Sequence, residues 1–334
     1  MPLLASPAFT DSFGRLHDSL RISVTDRCNI RCEYCMPDTE MSFRPREEIL
    51  NFGEIERFTR VAARRGVRKL RLTGGEPLIR KDLAVLVRLL AAIPGIDEVA
   101  LTTNGVLLAD RAAELFAAGL RRINVHLDTL DRERYRRITR RDELPRVLNG
   151  LAEARRTGFQ LKINAVMVRG SSEPDVAPLA RYGRENGFEI RYIEFMPLDA
   201  EGLWKAAKVL PADDILRILR REVGDVVPVA MADPRAPAVE YRFADGVGSI
   251  GFIASVTKPF CGNCNRLRLT ADGKLRYCLF AIEEMDVRGL LRNGANDDDL
   301  ERAIRRSLAM KWAGHEINAA NFVPPPRKMC AIGG

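Results

Sequence analysis

The chain has 334 residues, of which 46% are hydrophobic and 29% charged, and its formal net charge is +8. This composition predicts a globular protein of one large or two ordinary domains and excludes a disordered or fibrous chain. No apolar run approaches the roughly 20 residues that a membrane-spanning helix needs, and no export signal is recognisable, so we expect a cytoplasmic protein without a membrane partner. The seven cysteines are odd in number and clustered, which indicates reduced thiols rather than a disulfide framework.

The excess of basic over acidic residues, with a pI near 9.3, indicates an anionic partner. Nucleic acid and a polyphosphate small molecule are the two candidates. Only 7% of the residues are aromatic, so the stacking platforms of a single-strand binder are sparse, but this does not decide between the two.

Short apolar runs alternate with amphipathic patterns through the first two thirds of the chain. The predicted strands are Leu20–Thr25, Lys69–Thr73, Glu98–Thr103, Arg122–Leu127, Leu161–Val166 and Glu189–Phe195. The predicted helices are Gly53–Arg65, Asp82–Ile93, Arg111–Ala118, Leu144–Thr157, Asp175–Asn186 and Pro211–Val223. Six strand–helix repeats predict a parallel α/β sheet, and six rather than eight predict an incomplete (β/α)6 TIM-like barrel in residues 1–205.

Beyond about residue 224 the pattern changes to short strands broken by Gly, Pro and Asp. These strand candidates are Val226–Ala230, Val239–Phe243, Gly248–Phe252, Leu267–Thr270 and Lys274–Arg276. A last helix is predicted over Asp298–Met310, after an acidic first turn that the helix dipole favours. We expect residues 206–334 to form a smaller α+β domain that closes the open side of the barrel.

Directly after the first strand lies the first cysteine trio, which consists of Cys28, Cys32 and Cys35. Thiolates are soft ligands that suit iron–sulfur clusters, zinc and copper(I). Three thiols are one short of the four ligands of a closed zinc site or a fully protein-bound [4Fe–4S] cube. We favour a cube with one open iron over a zinc knuckle, for which His17 is the available fourth ligand.

A second cysteine trio consists of Cys261, Cys264 and Cys278. A zinc ribbon would need a fourth ligand, for which His315 and Cys330 are the candidates. Arg266 and Arg268 follow on one face of a predicted strand. Cations beside an open cluster would suit an anionic substrate, whereas a structural zinc site does not need them.

Three polar segments end predicted strands and could line the same mouth, because ligands of parallel α/β folds bind at the carboxyl ends of the strands. They are Thr73–Pro77 with its Gly-Gly pair, Thr102–Gly105 and His126–Asp128. The glycines allow a close backbone approach. Taken singly, each segment is better explained by turn chemistry or by a satisfied polar group of the core.

The motifs together resemble a known family. The first cysteine trio with Tyr34 before its third cysteine, followed by Gly-Gly-Glu-Pro, resembles the radical S-adenosylmethionine superfamily. The second cysteine trio, the Asn265–Thr270 segment and the terminal Gly333-Gly334 narrow the resemblance to the GTP 3′,8-cyclase family of molybdenum cofactor biosynthesis. The resemblance extends from about Leu20 to Gly334.

This resemblance implies two [4Fe–4S] clusters and S-adenosyl-L-methionine as cofactors. In the family, the first cluster binds S-adenosylmethionine through its open iron and generates a 5′-deoxyadenosyl radical. The radical removes the 3′ hydrogen of GTP, and the sugar radical closes onto C8 to give 3′,8-cyclo-7,8-dihydroguanosine 5′-triphosphate. The second cluster holds the guanine. The cofactors supply the difficult chemistry, and the protein positions them.

Site residues carry over from the family by motif. GTP contacts are expected at Arg21, Arg71, Thr102, Lys162, Arg191, Arg266, Leu267 and Arg268, with Leu267 contributing its backbone. S-adenosylmethionine contacts are expected at Tyr34, Gly75, His126 and Met196, and catalytic roles at Arg266, Arg268, Gly333 and Gly334. The family usually has Ser at position 126, and an imidazole there is bulkier but can still donate to a ribose hydroxyl.

The resemblance further implies a reductant such as flavodoxin or ferredoxin, a downstream cyclic pyranopterin monophosphate synthase and a homodimer, with no nucleic acid. Two alternatives stay open on the residues alone. One is another radical S-adenosylmethionine enzyme with an auxiliary cluster, such as a peptide-modifying one. The other is a zinc-bearing nucleic-acid-binding protein.

Overall fold

The computed structural model describes residues 8–37, 41–199, 201–231 and 233–333, so the predicted site residue Gly334 lies outside the described residues. The strands are β1 Ser19–Ser23, β2 Lys69–Thr73, β3 Glu98–Thr103, β4 Arg122–His126, β5 Gln160–Met167, β6 Glu189–Glu194, β7 Val226–Pro228, β8 Val239–Phe243, β9 Ser249–Ile253, β10 Arg266–Leu269, β11 Lys274–Arg276 and β12 Met285–Asp286.

The helices are α1 Phe52–Ala63, α2 Leu83–Ala91, α3 Leu108–Ala117, α4 Arg132–Thr139, α5 Leu144–Thr157, α6 Glu173–Asn186, α7 Ala212–Glu222, α8 Val287–Arg292, α9 Asp297–Ala309 and α10 Met329–Ile332. Every predicted strand and helix is present, with ends shifted by up to three residues. Caps explain two of the shifts: the side chains of Asn51 and Asn296 accept from the third helical N–H, in capping boxes that start α1 and α9.

All strands in the described residues belong to one open sheet in the order β12-β11-β10-β1-β2-β3-β4-β5-β6-β9-β8-β7. The six strands β1 to β6 lie side by side in chain order and are parallel. This confirms the incomplete α/β barrel, because the sheet curves through six strand–helix units without closing. The C-terminal strands extend it at both edges, since β10 pairs in parallel with β1 and β9 pairs in parallel with β6.

Alternation along the strands decides which side chains reach the barrel interior. In β1, Leu20 and Ile22 are fully buried in the layer between sheet and helices, so Arg21 and Ser23 point to the other face. On α1, Ile55, Phe58 and Val61 are buried on one face and cover that layer. Within the described residues no helix is long and apolar enough to cross a bilayer.

Three helices and one strand were not predicted: α4, α8, α10 and β12. Helix α4 has the sequence RERYRRIT, in which only Tyr135, Ile138 and Thr139 are buried. Its apolar face is too narrow for the periodic signal that marked the other helices. The omission matters, because the end of α4 supports the first cysteine trio.

Candidate active site

A cavity of about 310 Å³ lies in the barrel and has enough room for a small-molecule ligand. Its lining runs from the loop that follows the carboxyl end of β1 to the residues that precede β10, beside the amino end of β1. All members of both cysteine trios line it. The other predicted site residues that line it are Arg21, Tyr34, Gly75, Thr102, His126, Met196, Arg266 and Arg268. Tertiary structure therefore brings together two motifs that are more than two hundred residues apart. Arg71, Lys162, Arg191, Leu267 and Gly333 are not among the lining residues.

Backbone hydrogen bonds hold the loop of the first cysteine trio. Arg31 N donates to Thr139 O at 2.9 Å and Glu33 N to Ile138 O at 3.0 Å, so the loop rests on the end of α4. Within the loop, Cys35 N donates to Cys32 O at 2.9 Å, and the Arg31 guanidinium donates to Cys28 O at 2.7 Å. The cysteine positions are thus set by main-chain contacts.

The Gly74-Gly75 pair is required by the close approach of this same loop. A Cβ on Gly74 would lie 2.7 Å from Thr25 O, and a Cβ on Gly75 would lie 2.3 Å from Arg27 O. The backbone is bonded there as well, since Gly75 N donates to Thr25 O at 2.8 Å. Any side chain would push the first cysteine loop away from the strand β2 turn.

Glu76 joins this turn to the next strand end. Its carboxylate is fully buried and accepts from Thr103 Oγ1 and from Asn104 N, both at 2.7 Å. Burial outweighs these bonds and raises the pKa of Glu76 to about 7. Asn104 in turn donates to Asn29 Oδ1 at 2.7 Å and reaches Cys28 Sγ at 3.7 Å. The sequence analysis did not select Glu76 or Asn104, although both stand in polar segments at strand ends.

Tyr34, His126 and Asp128 form a buried polar group beside the first cysteine trio. The Tyr34 hydroxyl donates to Asp128 Oδ2 and bonds with His126 Nε2, which lies 3.0 Å from the same carboxylate oxygen. Asp128 Oδ1 accepts from Val166 N at 2.7 Å. Because a carboxylate only accepts, His126 carries its hydrogen on Nε2 here. Desolvation opposes the charged imidazole, but Asp128 prevails and raises the pKa of His126.

Burial in the protein interior raises the pKa values of the first cysteine trio. Burial first, and then the neighbouring Glu76 carboxylate, raise the pKa of Cys28 to about 11. Burial also raises the pKa of Cys32, together with the charges of Asp128 and Cys28. A hydrogen bond with Cys330, followed by burial, raises the pKa of Cys35. No lysine or arginine dominates this side of the cavity.

Cations surround the second cysteine trio instead. Arg266 Nη2 donates to Cys264 Sγ at 3.4 Å, and Lys311 Nζ donates to Arg266 O at 3.2 Å. Burial would raise the pKa of Cys264, but the charges of Arg266 and Lys311 lower it to about 6. Arg15 fixes the turn from behind by donating to Cys261 O at 2.7 Å.

A row of guanidinium groups crosses three neighbouring strands. Arg21 on β1 is in register with Arg268 on β10 on one side and with Arg71 on β2 on the other. Burial, then Arg268, Arg266 and Arg71, lower the pKa of Arg21 well below its usual value, and those of Arg71 and Arg268 fall to about 10. In the described part of the chain, Arg71 Nη1 is buried without a hydrogen-bond partner. Such crowded, desolvated cations favour an anion between them.

Lys162 and Arg191 differ from this row, because they are already paired with carboxylates. Lys162 Nζ lies 2.6 Å from Glu189 Oε2, and Arg191 Nε lies 2.5 Å from Glu189 Oε1. Both cations are also 3.4 Å from Glu240. Leu267, which was assigned a backbone role, buries its side chain in the core on the face opposite Arg266 and Arg268.

The C-terminal tail approaches the same strand ends. Gly333 O accepts from Arg268 Nη1 at 2.8 Å. Gly333 has a left-handed φ of 72°, and a Cβ on it would lie 2.6 Å from Thr73 Oγ1 and 2.9 Å from Ser23 Cβ. The slot therefore admits a residue without a side chain.

The donor set of the first trio, three thiols, fits an iron–sulfur cluster with one open iron, and the second trio has the same donor set. In the described ranges, no three His, Cys, Asp or Glu side chains converge on a single metal position. Tetrahedral zinc at about 2.3 Å would hold its sulfurs only about 3.8 Å apart, whereas a cube spreads its thiolates over separate irons. Two of the three candidate fourth zinc ligands are bonded through Nε2, His17 to Asp11 at 3.0 Å and His315 to Ser255 O at 2.6 Å, although among the described residues His17 Nδ1 is buried without a partner.

Comparison with known proteins agrees with this geometry. A family model described as Radical SAM superfamily matches residues 22–183, and one described as Molybdenum Cofactor Synthesis C matches residues 188–317. A protein of Rhodopirellula baltica named GTP 3′,8-cyclase is 50% identical over 331 residues, 98% of this chain and 92% of the relative. Its namesake in Mycobacterium sp. (strain KMS) is 45% identical over 344 residues, 100% of this chain and 98% of the relative.

Solved structures agree on the fold. Streptococcus suis SuiB aligns with a TM-score of 0.60 at 16% identity, over 95% of this chain and 77% of that one. A SuiB structure with bound S-adenosylmethionine gives a TM-score of 0.58 at 16% identity, over 86% of this chain and 68% of that one. At this level of identity the likeness concerns architecture alone. With two full-length relatives far above that level, the chain belongs to the GTP 3′,8-cyclase family of radical S-adenosylmethionine enzymes.

Proposed function

We propose that this enzyme converts GTP to 3′,8-cyclo-7,8-dihydroguanosine 5′-triphosphate in the first step of molybdenum cofactor biosynthesis. The observation that carries the proposal is the single cavity that both cysteine trios and the arginines Arg21, Arg266 and Arg268 line together. A radical source alone would need the first cysteine trio only. An anionic substrate between two clusters explains the second cysteine trio and the arginines as well.

The first cysteine trio holds a [4Fe–4S] cluster with S-adenosylmethionine at its open iron. When bound, this pair supplies a carbon-centred radical that removes a hydrogen atom from the substrate. Gly75 and Met196 line the cavity on this side and are placed to contact the S-adenosylmethionine. Tyr34 has its hydroxyl turned to His126 and Asp128, so its contribution is to hold the loop and to present its ring.

His126 replaces the serine usual in the family and contacts S-adenosylmethionine through a bulkier side chain. Its Nε2 already serves Tyr34 and Asp128, so the imidazole reaches the cofactor with its carbon edge or with Nδ1. The pair with Asp128 fixes the ring orientation. With its hydrogen on Nε2, the neutral ring offers Nδ1 as an acceptor, and His126 shapes this end of the cavity.

Cys261, Cys264 and Cys278 would hold a second [4Fe–4S] cluster, which would supply a binding position for the guanine. Support comes from the thiols' place on the opposite side of the cavity and from the lowered pKa of Cys264, which favours the thiolate that iron needs. Residues 206–334 supply this half of the site, and residues 1–205 supply the radical half.

The triphosphate lies along the guanidinium row of Arg268, Arg21 and Arg71. Charge-assisted hydrogen bonds to phosphate contribute roughly 1.5–3 kcal/mol each, so a few of them hold the nucleotide without a P-loop. Thr102 lines the cavity beside this row. Lys162 and Arg191 also contact the triphosphate when its phosphates replace Glu189 and Glu240 as their partners. Catalytic roles are proposed for Gly333, whose carbonyl accepts from Arg268, and for Gly334, which lies outside the described residues.

The proposal includes partners that the chemistry requires. A one-electron donor such as flavodoxin or ferredoxin reduces the first cluster, and a cyclic pyranopterin monophosphate synthase consumes the product. The chain acts in the cytoplasm, where a reducing environment keeps the thiols free. A homodimer is also proposed.

Anaerobic incubation of the reconstituted enzyme with GTP, S-adenosylmethionine and dithionite tests the reaction. We expect mass spectrometry to detect a product isomeric with GTP and an equal amount of 5′-deoxyadenosine. About eight iron and eight sulfide per chain are expected, against four of each for a single cube. Stoichiometric zinc without sulfide, or 5′-deoxyadenosine formation without any consumption of GTP, would contradict the proposal.

A further inference from the structure

Helix α4 and the two residues that follow it carry a cluster of arginines that the proposed function does not use. The segment Arg132–Arg141 contains six arginines and one glutamate. Three of the arginines are paired with carboxylates, Arg132 with Asp142, Arg134 with Asp175 and Arg140 with Glu201. The other three are exposed and form no ion pair among the described residues. They are Arg136, Arg137 and Arg141, which we call the arginine surface.

The arginine surface lies at the end of α4 that supports the loop of the first cysteine trio. That loop is bonded to α4 by its main chain, through Arg31 N to Thr139 O and Glu33 N to Ile138 O. Arg140 adds a side-chain bond, because its Nη1 donates to Met36 O at 3.2 Å. The last turn of α4 and the cysteine loop therefore form one bonded unit.

Side chains alternate along this loop between the cavity and α4. Ile30, Cys32 and Tyr34 line the cavity, whereas Arg31 and Glu33 do not. The main chain of Arg31 and Glu33 is bonded to the end of α4 instead. A single layer of chain thus separates the cavity from α4 at the position of the first cysteine trio.

A protein that delivers electrons to the first cysteine trio must approach from the side of α4. A cavity of about 310 Å³ admits small molecules but no protein, and in the proposed reaction the cofactor and the nucleotide occupy it. On the outer side, the exposed side chains next to the loop include the arginine surface. Positive charges at a surface attract an acidic partner and raise its rate of association.

We propose that the arginine surface at the end of α4 is the docking site of a small acidic one-electron carrier protein, which reduces the first cluster through the cysteine loop. One electron leaves the carrier, which is oxidised, and enters the cluster, which is reduced. The inference rests on the proposed function, because only a radical enzyme of this kind needs that electron.

Nucleic acid is the other polyanion that arginines attract, but the structure favours the electron carrier. The one aromatic residue of α4, Tyr135, is 3% exposed, so the helix offers no ring on which a base could stack. The arginine surface is also placed directly behind the cysteine loop, where an electron is needed.

The test uses the reconstituted holoenzyme, with flavodoxin as the acidic carrier. Arg136→Glu/Arg137→Glu reverses two charges of the arginine surface, and Arg136→Lys/Arg137→Lys keeps them. Arg220→Glu/Arg221→Glu is the matched control, because this pair is also in the last turn of a helix and the change in charge is the same. Isothermal titration measures the affinity for oxidised flavodoxin. Formation of 5′-deoxyadenosine is then timed with reduced flavodoxin or with dithionite.

We expect Arg136→Glu/Arg137→Glu to bind flavodoxin about tenfold more weakly, because repulsion replaces attraction. The difference should shrink between about 0.1 M and about 1 M ionic strength, as the screening length falls from about 10 Å to about 3 Å. The lysine variant and the α7 control should bind like the wild type. Cleavage driven by flavodoxin should slow in the glutamate variant, whereas cleavage driven by dithionite should keep its rate.

Glutamates in the last turn of a helix oppose its dipole, so a milder variant is measured in parallel. Arg136→Gln/Arg137→Gln removes both charges without adding repulsion, and we expect a severalfold weaker affinity. Iron content and dithionite-driven cleavage show for each variant whether α4 still supports the cysteine loop.

Two outcomes overturn the inference. One is an affinity for flavodoxin that is the same in the wild type and in the glutamine and glutamate variants, including the case in which these variants lose nucleic-acid binding instead. The other is an equal loss of affinity in the α7 control. Failure of dithionite to drive any cleavage in the wild type would remove the proposed function itself. Flavodoxin binding is measured without turnover, so the two failures are distinguishable.

Discussion

The two cysteine trios have the same number of thiols but opposite electrostatic surroundings. Burial and the Glu76 carboxylate raise the pKa of Cys28 to about 11, whereas Arg266 and Lys311 lower that of Cys264 to about 6 against the effect of burial. The first trio sits in a low-polarity loop among its own main-chain contacts. The second flanks strands β10 and β11, where the charges of Arg266 and Lys311 act on Cys264, while burial raises the pKa of Cys278.

The difference indicates what each trio faces. A site that binds a cationic sulfonium compound gains nothing from neighbouring arginines, and the first trio has none that dominate it. A site that binds a polyanion gains from them, and we propose that Arg266 and Arg268 beside the second trio serve this purpose. In this proposal the half of the cavity with few cations takes the radical source and the cationic half takes the nucleotide.

Removing one cysteine from each trio, in separate variants, should have the largest effects on iron content and on cleavage of S-adenosylmethionine. We expect Cys32→Ser to lose about four iron per chain and all cleavage of S-adenosylmethionine, because the radical source is gone. Cys278→Ser should also lose about four iron but retain reductive cleavage to 5′-deoxyadenosine. Iron analysis and chromatography of the nucleosides measure both. Equal loss of cleavage in the two variants would show that the trios do not have separate roles.

The next largest effect should come from replacing an arginine in the cationic half of the cavity. Arg268→Ala removes a guanidinium from the row and releases Gly333, so we expect a 10- to 100-fold weaker affinity for GTP, from the roughly 1.5–3 kcal/mol of one charge-assisted bond. Isothermal titration with GTP measures the affinity, and cleavage of S-adenosylmethionine should continue.

Arg217→Ala is the matched control for that variant. Arg217 is an exposed arginine paired with Asp214 on α7, away from the cavity, so its loss should leave GTP affinity unchanged. If Arg268→Ala bound GTP as tightly as the control, the triphosphate would lie elsewhere.

The opposite pKa shifts predict different alkylation rates in the metal-free protein. The alkylating reagent, iodoacetamide, reacts with the thiolate form of cysteine. At pH 7 the thiolate predominates at Cys264 but is scarce at Cys28. The lower intrinsic reactivity of a low-pKa thiolate offsets part of this difference, so Cys264 should react about 100-fold faster. Labelling of Cys264 should level off above pH 6, while labelling of Cys28 keeps rising toward pH 11.

Peptide mass spectrometry after a timed pulse of iodoacetamide measures these rates. Arg266→Gln sharpens the test, because loss of the neighbouring charge should slow Cys264 and leave Cys28 unchanged. Identical pH profiles for the two cysteines would contradict the electrostatic contrast.

The smallest effect should follow His126→Ser, which restores the residue usual in the family. Tyr34 and Asp128 would keep their mutual bond, so we expect only a severalfold change in affinity for S-adenosylmethionine. Equilibrium binding to the cluster-loaded enzyme measures it. A change of more than 100-fold would mean that His126 is a main determinant of this subsite rather than a substitute for serine.

Periodicity and local motifs predicted a large part of this molecule. The six strand–helix units and the cysteine spacing depend on neighbours within one turn or one strand, so the pattern of residues carries them directly. Helix α4 was missed because its few apolar residues form too narrow a face. Glu76 and Asn104 stood in segments that sequence analysis singled out, but their partners come from other strands.

The sequence by itself determined the fold class, the two thiol trios and the two arginines that follow the second trio. Tertiary structure alone decided that β10 joins the barrel beside β1, which aligns Arg268 with Arg21 and places both trios on one cavity. It also decided that Lys162 and Arg191 pair with Glu189 and Glu240, whereas Arg21 and Arg71 form no ion pair among the described residues. The reason is physical: local patterns set periodicity and ligand spacing, whereas register between distant strands sets which charges share a face.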